Sequence, residues 1–229
     1  VNGVTFALEK GEVSAIIGPN GAGKTTLFNL LTGHMKPSSG LVYFKDQNIT
    51  AFPPHRICRS GIGRSFQKTN IFPRLTAYDN VQVTLLAWQQ KTRNIFQRSD
   101  RFFQRETEEI LGSLGLADKK DRVAGLLAHG DQRLLEIGIT LGTYPELLLL
   151  DEPTAGMSPE ESHKTMELIQ QIVRFRNLTL LFIEHDMNIV FGISEKIRVM
   201  HYGSIIAEGT PQEIRANDQV QKIYLAEEI

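Results

Sequence analysis

Hydrophobic residues in this chain fall into short unbroken runs instead of alternating with polar ones. Four runs have the length of a strand: Val13 to Ile17, Leu147 to Leu150, Leu178 to Ile183 and Lys196 to Met200. Continuous apolar segments of this length are typical of strands that are covered on both faces, as in a parallel sheet. The pattern therefore predicts an α/β protein with a parallel sheet.

Helical periodicity appears after the first run and between the second and third runs. The segment Glu160 to Arg176 has apolar residues at three- and four-residue intervals, as expected of a crossover helix between parallel strands. Further on, Ile197 to Glu208 predicts a hairpin that turns at Tyr202-Gly203-Ser204, and Gln212 to Leu225 predicts a closing helix. The opening residues, Val1 to Phe6, resemble part of a strand pair, and we expect a natural N-terminal strand before them.

The segment of approximately residues 76–145 has a different pattern. Asn80 to Gln90 and Arg105 to Leu114 are predicted to be helical, with no long apolar strand between them. We therefore expect a helical subdomain inserted into a single domain of residues 1–229. Its middle, Lys91 to Arg105, mixes basic and aromatic residues, which would suit contact with a lipid surface or a nucleic acid. A solvated helix pair with a small apolar seam is the favoured interpretation.

Composition narrows the class of protein. The chain has 229 residues, with 25 basic and 26 acidic side chains, so its net charge of −1 gives no sign of a nucleic-acid partner. Hydrophobic residues make up 41% and charged residues 22%, which is ordinary for a soluble globular protein, and no apolar run has the length of a membrane span. Cys58 is the only cysteine, which excludes an internal disulfide and fits a cytoplasmic location.

The strongest chemical signal is a glycine-rich loop between the first strand and its helix, where the pattern G-x-x-x-x-G-K-[ST] is expected to bind phosphate. Backbone N–H groups and the helix dipole would surround a β-phosphate, Lys24 would bridge the β- and γ-phosphates, and Thr25 would offer its hydroxyl to Mg²⁺. An ordinary glycine-rich turn is the alternative. The residues expected to contact the nucleotide here are Gly18, Pro19, Asn20, Gly21, Ala22, Gly23, Lys24, Thr25 and Thr26.

Two later strands also end in polar residues. Asp151 and Glu152 follow Leu147 to Leu150, and His185 follows Leu178 to Ile183. Ligands bind at the carboxyl ends of parallel strands, so Asp151 is expected to hold Mg²⁺ and Glu152 to polarise the attacking water. His185 would reach the γ-phosphate as a hydrogen-bond donor, although a lone histidine is more often structural. A helix cap or a surface salt bridge is the alternative for the acidic pair.

Five elements taken in order resemble the ATP-binding-cassette ATPases over nearly the whole chain: Gly18 to Thr25, Gln67, Leu127 to Asp131, Leu147 to Glu152, and His185. The resemblance implies a P-loop NTPase (RecA-like) core with an inserted helical subdomain and an antiparallel β edge, and ATP and Mg²⁺ as its ligands. It also implies that Gln67 contacts Mg²⁺ and senses the membrane partner, that Glu152 is the catalytic base, and that His185 is the switch histidine that supports the γ-phosphate.

One element departs from the family pattern. The signature loop of the family is usually Leu-Ser-Gly-Gly-Gln, whereas this chain has Leu127-Ala128-His129-Gly130-Asp131. The loop closes over the γ-phosphate held by the opposite subunit in the family, so Gly130, backbone amides and the helix dipole would have to serve without a hydroxyl at Ala128. His129 is either a substitute donor or, as we favour, a packed or solvent-facing imidazole. The loop Ala155 to Ser158 lacks the family's usual aspartate.

Several stretches resemble, more narrowly, the larger ATPase subunit of bacterial importers for branched-chain (hydrophobic) amino acids: Gly61 to Gln67, Ile71 to Thr76, Gly130 to Glu136, Thr154 to Met157 and Ile183 to Met187. This resemblance implies transmembrane permease subunits, a second ATPase subunit in a head-to-tail dimer, and indirect action with a periplasmic binding protein. It places the chain peripherally on the cytoplasmic face of the inner membrane. The second subunit is a copy or, as we favour, a paralogue. The aromatic residue that stacks on adenine in the family is expected upstream of Val1.

Other functions remain open at this point. Related cassettes import urea or short amides. A soluble cassette ATPase of DNA repair or translation would need long arms, a coiled coil or a second cassette. A P-loop kinase or GTPase should lack both the stretch Gly130 to Glu136 and His185. A binding module without catalysis would not hydrolyse ATP even with a permease present.

Overall fold

A six-stranded sheet forms the centre of the molecule, in the order β4-β5-β6-β1-β7-β8. The computed structural model describes residues 1–65, 70–89 and 103–225. All neighbouring strands of the sheet are parallel except β8, which pairs with β7 in the antiparallel direction. The strands are β1 (Val13–Ile17), β4 (Ile62–Arg64), β5 (Leu147–Asp151), β6 (Thr179–Ile183), β7 (Lys196–His201) and β8 (Ser204–Gly209). The predicted fold class, a parallel sheet with an antiparallel edge, is confirmed.

The unbroken apolar runs follow from burial on both faces of the sheet. Leu147 and Leu149 of β5 point into a core that includes α1 and α2, whereas Leu148 and Leu150 point into the core that includes the other helices. Successive side chains of a strand face opposite ways, so a strand between two cores must be apolar at every position. This also explains why β1, β5 and β6 are buried at all five of their positions.

Helices cover the sheet and fill its connections. They are α1 (Lys24–Leu31), α2 (Pro54–Ser60), α3 (Ala77–Trp88), α4 (Gln104–Ser113), α5 (His129–Leu141), α6 (Pro159–Phe175), α7 (Met187–Ile193), α8 (Pro211–Arg215) and α9 (Asp218–Leu225). A small hairpin of β2 (Tyr43–Phe44) and β3 (Gln47–Asn48), which no strong pattern predicts, turns at Lys45 and Asp46. Both turn residues have positive φ, as a two-residue hairpin of this kind requires.

Helices α3 to α5 lie between β4 and β5 in the chain and pack against one another around apolar side chains such as Val81, Ile110 and Leu135. Helix α3 begins with a capping box, in which Thr76 and Asp79 bond each other's backbone N–H groups. Most of the basic and aromatic stretch Lys91 to Arg105 lies outside the described residues. Within the described residues, no helix is long and apolar enough to cross a membrane.

Residues 1–6 form no strand in the structure, and the N-terminal strand expected before Val1 stays a prediction. The backbone N–H of Asn2 donates to the carbonyl of Gly203 at 2.7 Å, and Arg198 donates to the carbonyl of Ala7. A hairpin turn and a buried side chain therefore satisfy backbone groups that a neighbouring strand would otherwise pair. The closing helix is also different, because it is divided into α8 and α9. Asn217 lies at the break and accepts hydrogen bonds from the first amides of α9.

The sheet register sets the position of the polar strand ends. Ile183 at the end of β6 is level with Asp151 of β5 on one side and with Ile16 of β1 on the other. The residues that follow β1, β5 and β6 therefore meet at one edge of the sheet, as expected for neighbouring parallel strands.

Candidate active site

The glycine-rich loop leaves β1 in a sharp turn that only glycine can make. Gly18 has a φ of 148°, and a Cβ at this position would lie 2.1 Å from the carbonyl oxygen of Met200. Gly23, with a φ of 100°, precedes the first residue of α1. The loop is held to the β7–β8 turn, because the N–H of Gly203 donates to the carbonyl of Ala22 at 2.9 Å. The first amides of α1 thus face a cradle of fixed backbone at the edge of the sheet.

Lys24 is the cation of this loop. Its side chain is buried, and its Nζ donates to the carbonyl oxygens of Gly18 and Pro19, the latter at 3.0 Å. The ammonium group therefore lies across the mouth of the loop. Thr25 is exposed at the start of α1, and Thr26 is half-buried beside it. A buried ammonium beside converging amides makes a strong site for a polyphosphate.

Asp151 ends β5 in a buried position and is paired with a cation that the sequence pattern did not indicate. The guanidinium of Arg64 donates to Oδ2 of Asp151 at 3.2 Å, and both side chains are almost fully buried. Arg64 also donates to Oδ1 of Asn29 at 2.7 Å and to Oγ1 of Thr32 at 3.2 Å. Arg64 therefore joins the Asp151 carboxylate to α1, the helix that begins with Lys24.

The environment of Asp151 acts on its charge in two directions. Burial raises the pKa of the Asp151 carboxyl, and Arg64 opposes that rise by its charge and its hydrogen bond. Glu152 raises the same pKa slightly, and the charge of Lys24 lowers it. These influences mean that the loop lysine and both acids share one electrostatic environment. Oδ1 of Asp151 is buried and has no hydrogen-bond partner among the described residues.

Glu152 and His185 are in direct contact. Nε2 of His185 lies 3.0 Å from Oε1 of Glu152, and both side chains remain partly exposed. The backbone of Glu152 has a φ of 51°, which is uncommon for a residue with a side chain, and its N–H donates to the carbonyl of Ile183. This turn directs Glu152 across the edge of the sheet towards the residue that follows β6. A carboxylate and an imidazole in this arrangement can orient a water molecule and exchange a proton.

The loop Leu127 to Asp131 lies at the start of α5, where Ala128 takes the cap position without a side-chain hydrogen bond. His129 is exposed and packs over Gly156, whose Cβ, if present, would lie 3.2 Å from the imidazole ring. A Cβ at Gly130 would lie 3.8 Å from the terminal methyl of Met157. This loop therefore contacts the loop that follows Glu152. Lys119 fixes the first turn of α5 through two hydrogen bonds to Asp131, at 2.8 and 2.9 Å.

Comparison with known proteins shows the family to which the chain belongs. A family model described as "ABC transporter" matches residues 1–155, and a second, described as "Branched-chain amino acid ATP-binding cassette transporter", matches residues 204–225. The chain is 41% identical over 236 residues to the high-affinity branched-chain amino acid transport ATP-binding protein LivG of Escherichia coli (strain K12), covering 99% of this chain and 92% of that protein. The chain belongs to the ABC transporter ATP-binding family.

Solved structures place this ABC cassette among ATPases of known fold. The alignment with one solved structure, an ATP-binding cassette of an ABC transporter, covers 97% of this chain and 91% of the solved chain, with a TM-score of 0.85 and 32% identity. A dimeric cassette in a post-hydrolysis state, bound to ADP and Pi, covers 91% of this chain and 89% of its own, with a TM-score of 0.76 and 26% identity. The protein is an ATP-binding ATPase subunit that couples hydrolysis to transport.

The cassette brings most of the expected site residues to one edge of the sheet: the loop Gly18 to Thr26, Asp151, Glu152 and His185. Gly130 lies at the start of α5, beside Met157. Gln67 lies outside the described residues. No role for Arg64 or Glu184 follows from the sequence pattern, although both are charged residues at the ends of short apolar strands and both have side chains with little exposure. A charged residue at the end of an apolar strand is the sequence signal by which both could have been recognised as candidate site residues.

Proposed function

We propose that the cassette drives an importer of branched-chain, hydrophobic amino acids. The observation that carries this proposal is the 41% identity to LivG over 99% of the chain, together with the match of the C-terminal segment to the branched-chain family model. The experiment is ATP-dependent uptake into proteoliposomes that contain the cassette, its permease and its binding protein. Labelled leucine should accumulate. Uptake of urea or acetamide without uptake of leucine would contradict this proposal and would show that the importer carries urea or short amides.

We infer that ATP lies with its phosphates along Gly18 to Thr26. The amides of the loop and of the first turn of α1 would surround the β-phosphate, and Nζ of Lys24 would move from the loop carbonyls to the β- and γ-phosphates. Thr25 is exposed at the start of α1, so its hydroxyl can turn towards the phosphates. The buried Lys24 side chain supports this arrangement, because a cation is held at the loop before any phosphate arrives.

We infer that Mg²⁺ binds between Thr25 and Asp151. The unpartnered, buried Oδ1 of Asp151 fits this ion, since a desolvated carboxylate oxygen without a donor is costly unless a cation or its bound water approaches it. No group of three or more His, Cys, Asp or Glu side chains in the described ranges could hold a metal alone, so phosphate and water oxygens would complete the shell. Bound Mg²⁺ would neutralise charge on the transferred phosphoryl group. Gln67 is expected in this shell from the family resemblance.

Hydrolysis would use the contact between Glu152 and His185. The Glu152 carboxylate would accept a hydrogen bond from the attacking water and take its proton as the γ-phosphorus is attacked. His185 holds that carboxylate at 3.0 Å and, from the neighbouring strand, would donate to the γ-phosphate once ATP is present. Lys24 and the loop amides would stabilise the charge on the leaving diphosphate.

The second half of each nucleotide site would come from another subunit. Gly130 and the amides at the start of α5 would close over the γ-phosphate bound to the opposite cassette of a head-to-tail dimer. That opposite cassette would be a second copy of this chain or a paralogue. The dimeric relative bound to ADP and Pi supports this arrangement. ATP drives closure only by binding the closed pair more tightly than the open one. The helices of residues 76–145 would form the inserted subdomain that transmits closure to transmembrane permease subunits at the cytoplasmic face of the membrane.

A further inference from the structure

Glu184 is a buried acid that the proposed mechanism does not use. It lies between the last residue of β6 and His185, and 5% of the residue is exposed. Its Oε1 accepts hydrogen bonds from the hydroxyl of Thr154 at 2.6 Å and from the backbone N–H of Thr154 at 3.0 Å. Its Oε2 accepts the backbone N–H of His185 at 3.2 Å. No basic side chain of the described residues forms an ion pair with it.

Burial of a carboxylate at this position is energetically unfavourable. Burying a charge costs free energy that hydrogen bonds offset only in part, and an apolar side chain of similar size would avoid that cost. A purely structural contact between β6 and the next loop would therefore not call for Glu184. The identity of its donors suggests what it provides, because one belongs to the loop after Glu152 and the other to His185.

The turn at Glu152 needs support from its surroundings. Glu152 has a left-handed backbone, with a φ of 51°, and such a conformation persists at a residue with a side chain only where neighbouring contacts fix it. Hydrogen bonds among the described residues do so: Glu152 N donates to Ile183 O at 3.0 Å, Ala155 N donates to Glu152 O at 3.1 Å, and the N–H and hydroxyl of Thr154 donate to Glu184. Of these, only the Glu184 contact depends on a side chain, and it joins the turn to the residue that precedes His185.

We propose that Glu184 is a positioning residue that fastens the Glu152 turn to the backbone of His185, and so sets the 3.0 Å contact between these two side chains, an inference that rests on the catalytic roles proposed above for Glu152 and His185. The loop that Thr154 begins continues to Gly156 and Met157, which contact the signature loop. Movement of that loop would therefore reach Glu152 along the chain and His185 through Glu184. The nucleotide-binding loop lies outside this connection, which makes the proposal testable by separating turnover from binding.

The test compares Thr154→Val and Glu184→Gln with the parent in the intact subunit. Both variants should lower kcat by between about 10- and 100-fold, the loss expected when catalytic groups are misplaced by up to an ångström. ATP affinity, measured by titration with a fluorescent ATP analogue, should stay within about twofold, because the loop Gly18 to Thr26 is unchanged. Thr154→Ser keeps the hydroxyl and should restore most of the lost kcat.

A matched control is available elsewhere in the chain. Glu213 accepts the same two donors from a threonine, the N–H and the hydroxyl of Thr210, but it lies at the exposed start of α8. Glu213→Gln should leave kcat unchanged. The double variant of Thr154→Val and Glu184→Gln should be no slower than the slower single variant, because both changes break one connection.

Three results would overturn the proposal. One is a kcat within twofold of the parent in both single variants. Another is multiplication of the two single effects in the double variant. The third is a parallel fall of kcat, ATP affinity and thermal stability, which would mark Glu184 as a general structural residue. If Glu184→Gln fails to fold, the pair Thr154→Val and Thr154→Ser decides the question by the same criteria.

Discussion

The two halves of the proposed nucleotide site in this chain differ in how they are supported. At the edge of the sheet, Lys24 and Asp151 are buried and are fixed by hydrogen bonds to other elements. At the start of α5, His129 is exposed and Ala128 provides no side-chain cap. The charged side chains of the first half are buried and preorganised by the fold, whereas the second half presents exposed residues at an uncapped helix N-terminus. An open N-terminus is what a surface needs if its partner is an anion held by another subunit.

The helix caps of the molecule show which helix N-termini are open to an anion. Helices α3, α6 and α8 each begin with a capping box, in which a Ser or Thr and an acid three residues later satisfy the first amides. Helix α5 begins without one, as α1 does in the first half of the site. No side chain of the described residues caps α5, so its first N–H groups are available to a phosphate, at a cost of about 1 kcal/mol in helix stability.

Replacement of Lys24 tests the preorganised half and should have the largest effect. Lys24→Ala removes the cation expected to bridge two phosphates, and hydrogen bonds to charged groups contribute about 1.5 to 3 kcal/mol each. ATP affinity should fall by at least about 100-fold, below detection in most assays, as measured by equilibrium titration with a fluorescent ATP analogue. Lys119→Ala is the matched change in the other half, since Lys119 binds Asp131 at the start of α5. It should leave ATP affinity of the single subunit unchanged, and equal losses in both variants would contradict the contrast.

Replacement of Glu152 separates chemistry from binding in the same half. Glu152→Gln keeps the size of the side chain but removes the base, so phosphate release should slow by about 10²- to 10⁴-fold while ATP affinity is retained. Glu146→Gln, at an exposed ion pair with Lys45, is the control and should hydrolyse ATP normally. Hydrolysis at the parental rate in Glu152→Gln would remove Glu152 from its proposed role.

Replacement of Arg64 tests whether its ion pair with Asp151 is needed for Mg²⁺ binding. Arg64→Met breaks a buried ion pair, and the Mg²⁺ concentration for half-maximal ATPase activity should rise by about tenfold, while Arg64→Lys keeps the charge and should lose less. Because Arg64 opposes the rise in the pKa of Asp151, its loss raises that pKa further. Activity should therefore disappear at a higher pH as the solution is acidified. An unchanged Mg²⁺ dependence in Arg64→Met would show that Asp151 needs no such support.

The sequence predicts those site residues that directly follow an apolar strand. The loop Gly18 to Thr26, Asp151 and His185 all follow apolar runs, and the parallel register then brings the strand ends together without further information. The contacts of Arg64 and Glu184 could not be predicted, because they join segments far apart in the chain. Strand β4 is only three residues long, which is too short for a periodic signal.

The signature loop Leu127 to Asp131 could be identified from the sequence, but its contacts with other loops could not. Its order in the chain identifies Leu127 to Asp131, yet nothing in those residues indicates that His129 packs over Gly156 of the loop after Glu152. That contact depends on how α5 meets the sheet, which is decided by packing throughout the helical segment. The break between α8 and α9 is a similar case, because Asn217 caps a helix inside a segment whose periodicity predicts one continuous helix.

A hydroxyl at the open helix N-terminus gives the smallest and most discriminating effect. Ala128→Ser supplies the missing cap, so the free energy of unfolding of the subunit should rise by about 1 kcal/mol, as measured by urea denaturation. The same hydroxyl would face the γ-phosphate of a second cassette. ATP-induced dimerisation, measured in a Glu152→Gln background by light scattering, should therefore strengthen by several-fold.

Ala117→Ser, in a short 3₁₀ segment and exposed like Ala128, controls for a general effect of the added hydroxyl and should give neither gain. If Ala128→Ser stabilises the subunit but weakens the dimer, the hydroxyl competes with phosphate for the amides of α5, and the open N-terminus is the functional state. If neither quantity changes, those amides already have acceptors, and the contrast between the two halves of the site is wrong.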